Sequence, residues 1–244
     1  MASLLYVGVR PELDAATAER ASFRVALGVD SDGLDRIDLT TVPLPADAFD
    51  RYTGFVIGGS PYNVTDASKS PTQLRVEADL ERIAARALVG ETTAFFTCFG
   101  IGVVTRLLGG TVTTDHPEEA AAAEIRTTAE GAADPLFGPA GAAFHAFTAH
   151  KEGSVEVPPD AVLLAANDDC PVQAYRAGAD LYATQFHPEP SPRDFADRMV
   201  FYRTTGYFDP DAFHTVQEAV LGSVVTEPSR ILHRFGERAL LRGR

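Results

Sequence analysis

Tryptophan is absent from this 244-residue chain, and cysteine and methionine occur twice each. Two cysteines, Cys98 and Cys170, are too few for a disulfide framework or a cysteine zinc site, and their scarcity fits a reducing compartment. Positive charge is also short, with 21 lysines and arginines against 34 acidic residues and a net charge of −13. A field of that sign repels phosphate backbones and anionic bilayers, so neither nucleic acid nor membrane is an expected partner. The stretch from Arg230 to Arg244 is nevertheless net basic, which puts the acidity upstream. No apolar run approaches the length of a bilayer span. The opening residues, MASLLYVGVRPELD, lack the basic flank and long apolar core of a signal peptide. The expectation is a soluble cytoplasmic protein. Its composition, 45% hydrophobic and 23% charged, suits one globular domain with an appendage.

In the first half, short apolar runs alternate with longer helical patterns, which predicts a mostly parallel sheet with helices on both faces. Strands are expected at Leu4–Val9, Asp35–Val42, Gly54–Ile57 and Thr92–Thr97. Helices are expected from Pro11 to near Gly28, from Ser70 to Gly90, and over residues 99–108. Ser70-Pro71-Thr72-Gln73 reads as a helix start with a hydroxyl cap, a proline in the first turn and a glutamine to close a capping box. Beyond residue 110 the pattern becomes short strands at 111–128, 143–149, 161–166, 171–176 and 181–186. After Pro192 it is helical again, over about 193–204, 210–222 and 227–240.

The sharpest chemical signal is Phe95-Phe96-Thr97-Cys98-Phe99-Gly100-Ile101-Gly102. A strand–Cys–helix order exposes the thiol on a tight turn at the carboxyl edge of the sheet, beside backbone N–H groups that stabilise negative charge. The helix end also favours the thiolate. A buried structural cysteine is the alternative reading of the same octapeptide. His187 follows the predicted strand Leu181–Phe186 and precedes Pro188-Glu189. The imidazole is thereby the candidate base, and Glu189 can turn back to hold its second nitrogen. His150 also ends a strand. His116, His145, His214 and His233 read as surface or satisfied core residues. Gly58-Gly59-Ser60 closes the third strand at the same edge and can offer backbone donors to a reacting carbonyl. Cys170 lies in the acidic turn Asn167–Pro171, where carboxylates raise a thiol pKa, so it reads as structural or merely exposed.

These motifs, GGSPYNV at 58–64, TCFGIG at 97–102 and YATQFHPE at 182–189, resemble those of class I, triad-type glutamine amidotransferases, with the GMP synthase amidotransferase domain and its free-standing relatives as the nearest likeness. The resemblance implies a flavodoxin-like domain over residues 1–190 and a helical extension over 191–244, packed on the domain or forming a homodimer face. It implies a Cys98–His187–Glu189 triad, oxyanion donors at the Gly59 and Phe99 backbone, and no metal or organic cofactor. The substrate implied is a small-molecule amide, glutamine or a γ-glutamyl compound, hydrolysed through a glutamyl thioester. Residues 191–244 are too short for a synthetase, so ammonia would pass to a separate synthetase subunit or escape. Two positions depart from the family elbow, Gly-x-Cys-x-Gly-x-Gln. Phe96 replaces its first glycine, and Gly102 replaces the glutamine that contacts substrate, opening space there. Gly58, Ser60, Gly102 and the segment His150-Lys151-Glu152 are the candidate substrate contacts. A γ-glutamyl hydrolase and a non-catalytic regulator are the alternatives, and a zinc hydrolase with His150 and His187 as ligands has no supporting ligand spacing.

Overall fold

The computed structural model describes residues 4–30 and 32–242. Residues 1–3, 31 and 243–244, the outer ends of the expected domain and extension among them, lie outside it. The chain opens with β1 (Leu4–Gly8), α1 (Leu13–Leu27), β2 (Leu34–Asp38), a short α2 (Ala48–Arg51), β3 (Gly54–Ile57), α3 (Pro71–Leu88), β4 (Thr93–Thr97) and α4 (Phe99–Leu107). Next come β5 (Val112–Thr113), β6 (Glu118–Thr127), α5 (Ala129–Ala133), β7 (Ala143–His150), β8 (Gly153–Ser154), β9 (Ala161–Ala166), β10 (Ala174–Ala177) and β11 (Leu181–Thr184). Three helices close the chain: α6 (Pro192–Met199), α7 (Phe213–Leu221) and α8 (Glu227–Leu241).

Nine strands form one sheet in the order β2-β1-β3-β4-β11-β10-β9-β6-β7. The first five of that order run parallel, and β10, β9, β6 and β7 extend the sheet by antiparallel pairing. The mostly parallel core with helices on both faces is thus as the sequence predicts. Every residue of β1 is buried, so its sequence reads LLYVG without polar alternation, as a strand covered on both faces must. Leu5 and Val7 join Phe55, Ile57 and Phe96 under α3 and α4. Leu4 and Tyr6 join Val56, Phe95 and Tyr182 under α1 and α8 on the opposite face. This split follows from the two-residue side-chain period of a strand.

Several boundaries differ from expectation for local reasons. The second strand ends at Asp38, because Thr41 and Val42 N–H groups turn back to the Asp38 carbonyl. The expected strand over 111–128 divides into β5 and β6, with β5 pairing β8 in a separate two-stranded sheet. Ser70 caps α3 by accepting from the Gln73 N–H at 3.1 Å. The Gln73 side chain does not complete the capping box; it donates instead to the Asn63 carbonyl at 2.9 Å. The helix expected over 193–204 stops as α-helix at Met199 and continues as a 3-10 turn, Val200–Tyr202. Among the described residues, no helix is long and apolar enough to cross a membrane.

Helix α8 is part of the main core. Its Ile231, Leu232, Phe235 and Ala239 are fully buried or nearly so. The Phe235 ring meets Phe95 edge-on at 5.3 Å and Tyr182 at 6.4 Å. Truncating Phe235 to Ala leaves a void between β4, β11 and α8 that rigid strands cannot collapse to fill. The expected loss is about 3–5 kcal/mol of unfolding free energy by urea denaturation. A loss below about 1 kcal/mol, within the range of ordinary surface changes, would mean that α8 does not pack as described.

Candidate active site

Three neighbouring parallel strands, β3, β4 and β11, end at one edge of the sheet, with Ile57 opposite Phe96 and Thr97 opposite Thr184. Each chain leaving that edge delivers one of the segments singled out in the sequence: Gly58-Gly59-Ser60, Cys98, and Gln185 to Glu189. Carboxyl ends of parallel strands are where open α/β sheets bind ligands. The Cys98 N–H bonds the Thr184 carbonyl at 2.8 Å, which ties the turn into α4 to β11. Cys98 itself sits at φ 50° and ψ −107°, immediately before α4. A non-glycine residue there stores about 1–3 kcal/mol of strain that the surrounding structure must hold. Beyond β11, the His187 N–H bonds the Phe147 carbonyl of β7 at 2.8 Å, fixing the point where the imidazole departs.

The structure brings Cys98, His187 and Glu189 together. His187 and Cys98 border the same cleft, the His187 Nδ1 lies 3.1 Å from Glu189 Oε1, and the Cys98 thiol donates to the Ala149 carbonyl at 3.9 Å. Behind them is a charge cluster that sequence reasoning missed. Arg198 of α6 donates from Nη1 to Glu189 Oε1 at 2.5 Å and to Glu19 Oε1 at 3.2 Å. Glu19 of α1 also accepts from Arg10 at 2.8 and 3.0 Å and from the Tyr6 hydroxyl at 2.8 Å. Arg10 reaches on to the Tyr202 hydroxyl at 2.9 Å. All four charged side chains are buried. No short motif announces them: Glu19 lies in an alanine-rich helix, and Arg198 is nine residues beyond Glu189 in an exposed-looking PRDFADRM segment.

Burial alone would lower the His187 pKa, but the Glu189 charge and the contacts with Cys98 and Glu189 overcome it and push it up to about 9. For Glu189 burial works upward, and the His187 and Arg198 charges outweigh it, holding the carboxyl well below its ordinary range. The arrangement therefore favours an imidazolium over a neutral ring at neutral pH.

The other predicted residues divide by role. A Cβ on Gly58 would fall 2.0 Å from a Glu19 carboxylate oxygen, and one on Gly59 would fall 2.8 Å from both the His187 ring and the Arg10 guanidinium. Only glycine permits so close an approach. The Gly59 N–H donates to Glu19 Oε1 at 3.3 Å, while Phe99 begins α4 directly after the thiol. Ser60 Oγ donates to the Val9 carbonyl at 2.8 Å and accepts from the Tyr62 N–H, holding its own loop. Both nitrogens of His150 are engaged, Nε2 with Glu118 at 2.7 Å and Nδ1 with the Glu152 carbonyl at 2.9 Å. The Glu152 carboxylate accepts from the Val64 and Thr65 N–H groups and the Thr65 hydroxyl at 2.8–3.0 Å. Gly102 borders the cleft, but the direction of its missing side chain is crowded. A Cβ there would lie 3.1 Å from Val64 and 3.3 Å from Glu152 Oε1, so those side chains occupy the direction a longer residue would take. Lys151 lies over the Tyr207 ring, 5.0 Å from its centroid.

Two lobes of a cleft meet at Cys98 and share Ser60 and Tyr207. The smaller is bordered by Phe99, Gly102, His150, Lys151, Glu152 and Gln185. The larger is bordered by His187, Arg198 and side chains of the C-terminal segment. Tyr62 and Asn63 belong to the GGSPYNV motif and Gln185 to YATQFHPE, while Tyr207 is a lining residue that no sequence motif marked.

Glu118, His150 and Cys170 also lie close enough to share an ion. The donor set fits a hydrogen-bonded cluster instead. Glu118 accepts from Asn167, Gln173 and His150, and burial, with Glu118 and Asp169 adding to it, pushes the Cys170 thiol up to about 12. Cys170 is fully buried, which decides for the structural reading over the exposed one.

A sequence model of the family described as glutamine amidotransferase class-I matches residues 33–205. The chain belongs to that family. It is 30% identical over 137 residues to the GMP synthase [glutamine-hydrolyzing] of Aliivibrio salmonicida, an alignment covering 56% of this chain and 24% of that protein. The corresponding protein of Borreliella burgdorferi is 25% identical over 148 residues, 61% of this chain and 26% of that one. This amidotransferase-family chain thus spans about a quarter of the length of the curated relatives it matches. In fold it is similar to a glutamine amidotransferase from Thermotoga maritima, with TM-score 0.71, 16% identity, and coverage of 97% and 98% of the two chains. It is also similar to one from Methylobacillus flagellatus, with TM-score 0.69, 17% identity, and coverage of 99% and 93%.

Two expectations follow for the family member in hand. Because folding raises the His187 pKa from 6.5 to about 9, protonation of the ring stabilises the folded state fully below about pH 6.5, and that contribution is lost as pH rises through about 9. An NMR titration should place the His187 midpoint near 9, and Glu189→Gln should lower it. A midpoint near 6.5 in both proteins would contradict the ion-pair geometry. Replacing Arg198 with Met removes the cation between two buried carboxylates and should cost about 3–5 kcal/mol in thermal or urea unfolding. Arg198→Lys should recover part of that loss; equal losses for the two variants would show that charge does not explain the cluster.

Proposed function

We propose that the protein is a cysteine-nucleophile amide hydrolase that cleaves a γ-glutamyl amide, glutamine being the parent case. The observation that carries this reading is the strained Cys98 on the turn into α4, bordering one cleft with His187, whose ring is held by Glu189. The thiolate is the attacking form of cysteine. It would add to the amide carbonyl while the oxyanion is stabilised at the start of α4, with the Phe99 N–H as one donor. The Gly59 N–H would be the second donor once turned from Glu19 toward the reacting oxygen. His187, held protonated by Glu189, would give its proton to the departing nitrogen. Water, deprotonated by the same ring, would then hydrolyse the thioester and return Cys98 to its starting state.

The names of the relatives support glutamine as nitrogen source and a synthetase as recipient. Ammonia made here would then be delivered to a synthetase. The 191–244 segment then serves the amidase itself, since it supplies Arg198 to the charge cluster. The polar lobe beside Glu152 and Lys151 suits the charged amino-acid end of a γ-glutamyl group, with Gly58 and His150 shaping its walls.

Incubation with 6-diazo-5-oxo-norleucine, followed by peptide mapping, tests the nucleophile. Cys98 should be alkylated, His187→Ala should slow the labelling by about 100-fold or more, and excess glutamine should protect. If Cys98 is inert both to this reagent and to a small untargeted electrophile, the hydrolase reading is wrong.

A further inference from the structure

The two lobes that meet at Cys98 are narrow. The larger has a cavity volume of about 40 Å³ and the smaller about 10 Å³, where one water needs about 10–15 Å³. Neither admits a whole amino acid, and Cys98 itself is only 7% exposed. A substrate that reaches the thiol must therefore displace part of the wall.

Most of that wall is tied down. Cys98 and His187 are bound through their N–H groups to β11 and β7. Ser60 is bound to the Val9 carbonyl, and α6 cannot shift without unpairing Arg198. Tyr207 is held differently. Among the described residues, only Ser60, Cys98 and Tyr207 border both lobes, and Tyr207 is half-buried, with part of its surface in solvent. It stands in a run of turns and bends over residues 203–208. Both ends of the run are anchored. The Tyr202 hydroxyl accepts from Arg10 at 2.9 Å, and Phe208 is buried with its ring 5.8 Å from that of Phe213.

Between those anchors Arg203, Thr204 and Gly206 are exposed. Gly206 has φ 82°, a left-handed conformation that glycine adopts without steric cost. Three contacts hold Tyr207: Lys151 Nζ lies 5.0 Å from its ring centroid, the Tyr202 ring meets it edge-on at 6.1 Å, and its carbonyl accepts from the Ala120 N–H at 3.0 Å. A partly exposed ammonium over a ring shifts an equilibrium only about two- to fivefold. The fastening is weak beside the charge cluster that holds the rest of the wall.

Resting on the hydrolase reading for the identity of what enters, we propose that Tyr207 is the gate of the site. The turn of residues 203–207 swings the ring off the junction of the lobes, with Tyr202 and Phe208 as fixed ends, Gly206 as hinge and Lys151 as latch. The closed form is the resting state, and substrate enters through the open one.

The test is the rate at which Cys98 of the full chain reacts with iodoacetamide and with the bulkier N-(1-pyrenyl)maleimide, followed by peptide mapping. Cys170 is fully buried and serves as internal control, since it reacts only if the protein unfolds. Tyr207→Ala should speed the maleimide reaction about tenfold or more, as expected where the open form is a minor population, and the iodoacetamide reaction less. Gly206→Ala keeps the ring but strains the closed turn, and should speed the maleimide reaction about fivefold or more. Lys151→Gln loosens the latch and should speed it about two- to fivefold. A rise confined to Tyr207→Ala would make the ring a fixed wall and overturn the gate, as would a maleimide rate that no variant changes. A variant in which Cys170 also reacts is set aside, and the others decide. Hydrolysis of glutamine by the same proteins separates the two readings. Faster labelling without hydrolysis keeps the gate and removes the hydrolase, whereas hydrolysis with labelling unmoved keeps the hydrolase and removes the gate.

Discussion

Four charged side chains taken out of water, Arg10, Glu19, Glu189 and Arg198, constrain the rest of the molecule. An ion buried alone would cost several kcal/mol, and that penalty is offset only when each charge has a partner at hydrogen-bonding distance. The partners come from four separate places: the loop after β1, helix α1, the segment after β11, and helix α6. None of these can shift by an ångström without leaving a carboxylate or guanidinium unpaired. The cluster thereby fixes Glu189, Glu189 fixes the His187 ring, and the ring is held against Cys98. Gly58 and Gly59 belong to the same constraint, since the Glu19 carboxylate and the Arg10 guanidinium fill the space their side chains would need.

The parts of this architecture legible in the sequence are those set by local chemistry. Continuous apolar runs such as Leu4–Val7 announce strands covered on both faces, and Ser70-Pro71 announces a helix start because cap and proline act within one turn. Cys98 and His187 are readable for the same reason: each follows directly on a strand, so the strand's end places the side chain. Parallel pairing of β3, β4 and β11 then does the rest, without any signal linking residues 58, 98 and 187 in the chain. Long-range ion pairs leave no such trace. Glu19 and Arg198 are 179 positions apart, and each looks like a solvated helix residue until the fold brings them together. Glu118, which holds His150, gives no warning because an acidic residue in a Pro-Glu-Glu turn usually faces water.

Gly102 shows how a local reading can be right about a residue and wrong about its surroundings. The absence of a side chain suggests open space, yet Val64 and Glu152 stand where one would extend. Glu152 is held there by two backbone N–H groups and a hydroxyl from residues 64 and 65. Burial pushes its carboxyl up, and those donors and a neighbouring Asp66 set the remainder. The loop 61–66 and the turn after β7 have closed on each other across the glycine. Where the family elbow carries a glutamine on α4, this chain presents a carboxylate from another element. That exchange changes the polarity of the smaller lobe and not merely its size.

The same economy applies on the other side of Cys98. Phe195, Arg198 and Met199 are spaced by three and four residues, so one face of α6 presents all of them. The guanidinium reaches Glu189, and the two apolar side chains line the larger lobe. Farther along, the Tyr207 carbonyl accepts from the Ala120 N–H at 3.0 Å, fastening the segment beyond α6 to the edge of β6. Helix position therefore sets two properties at once: the orientation of Glu189 and the width of the larger lobe. Widening that lobe by moving α6 would also slacken Glu189. Its shape is consequently expected to vary through side-chain size on a fixed helix, not through movement of the helix itself.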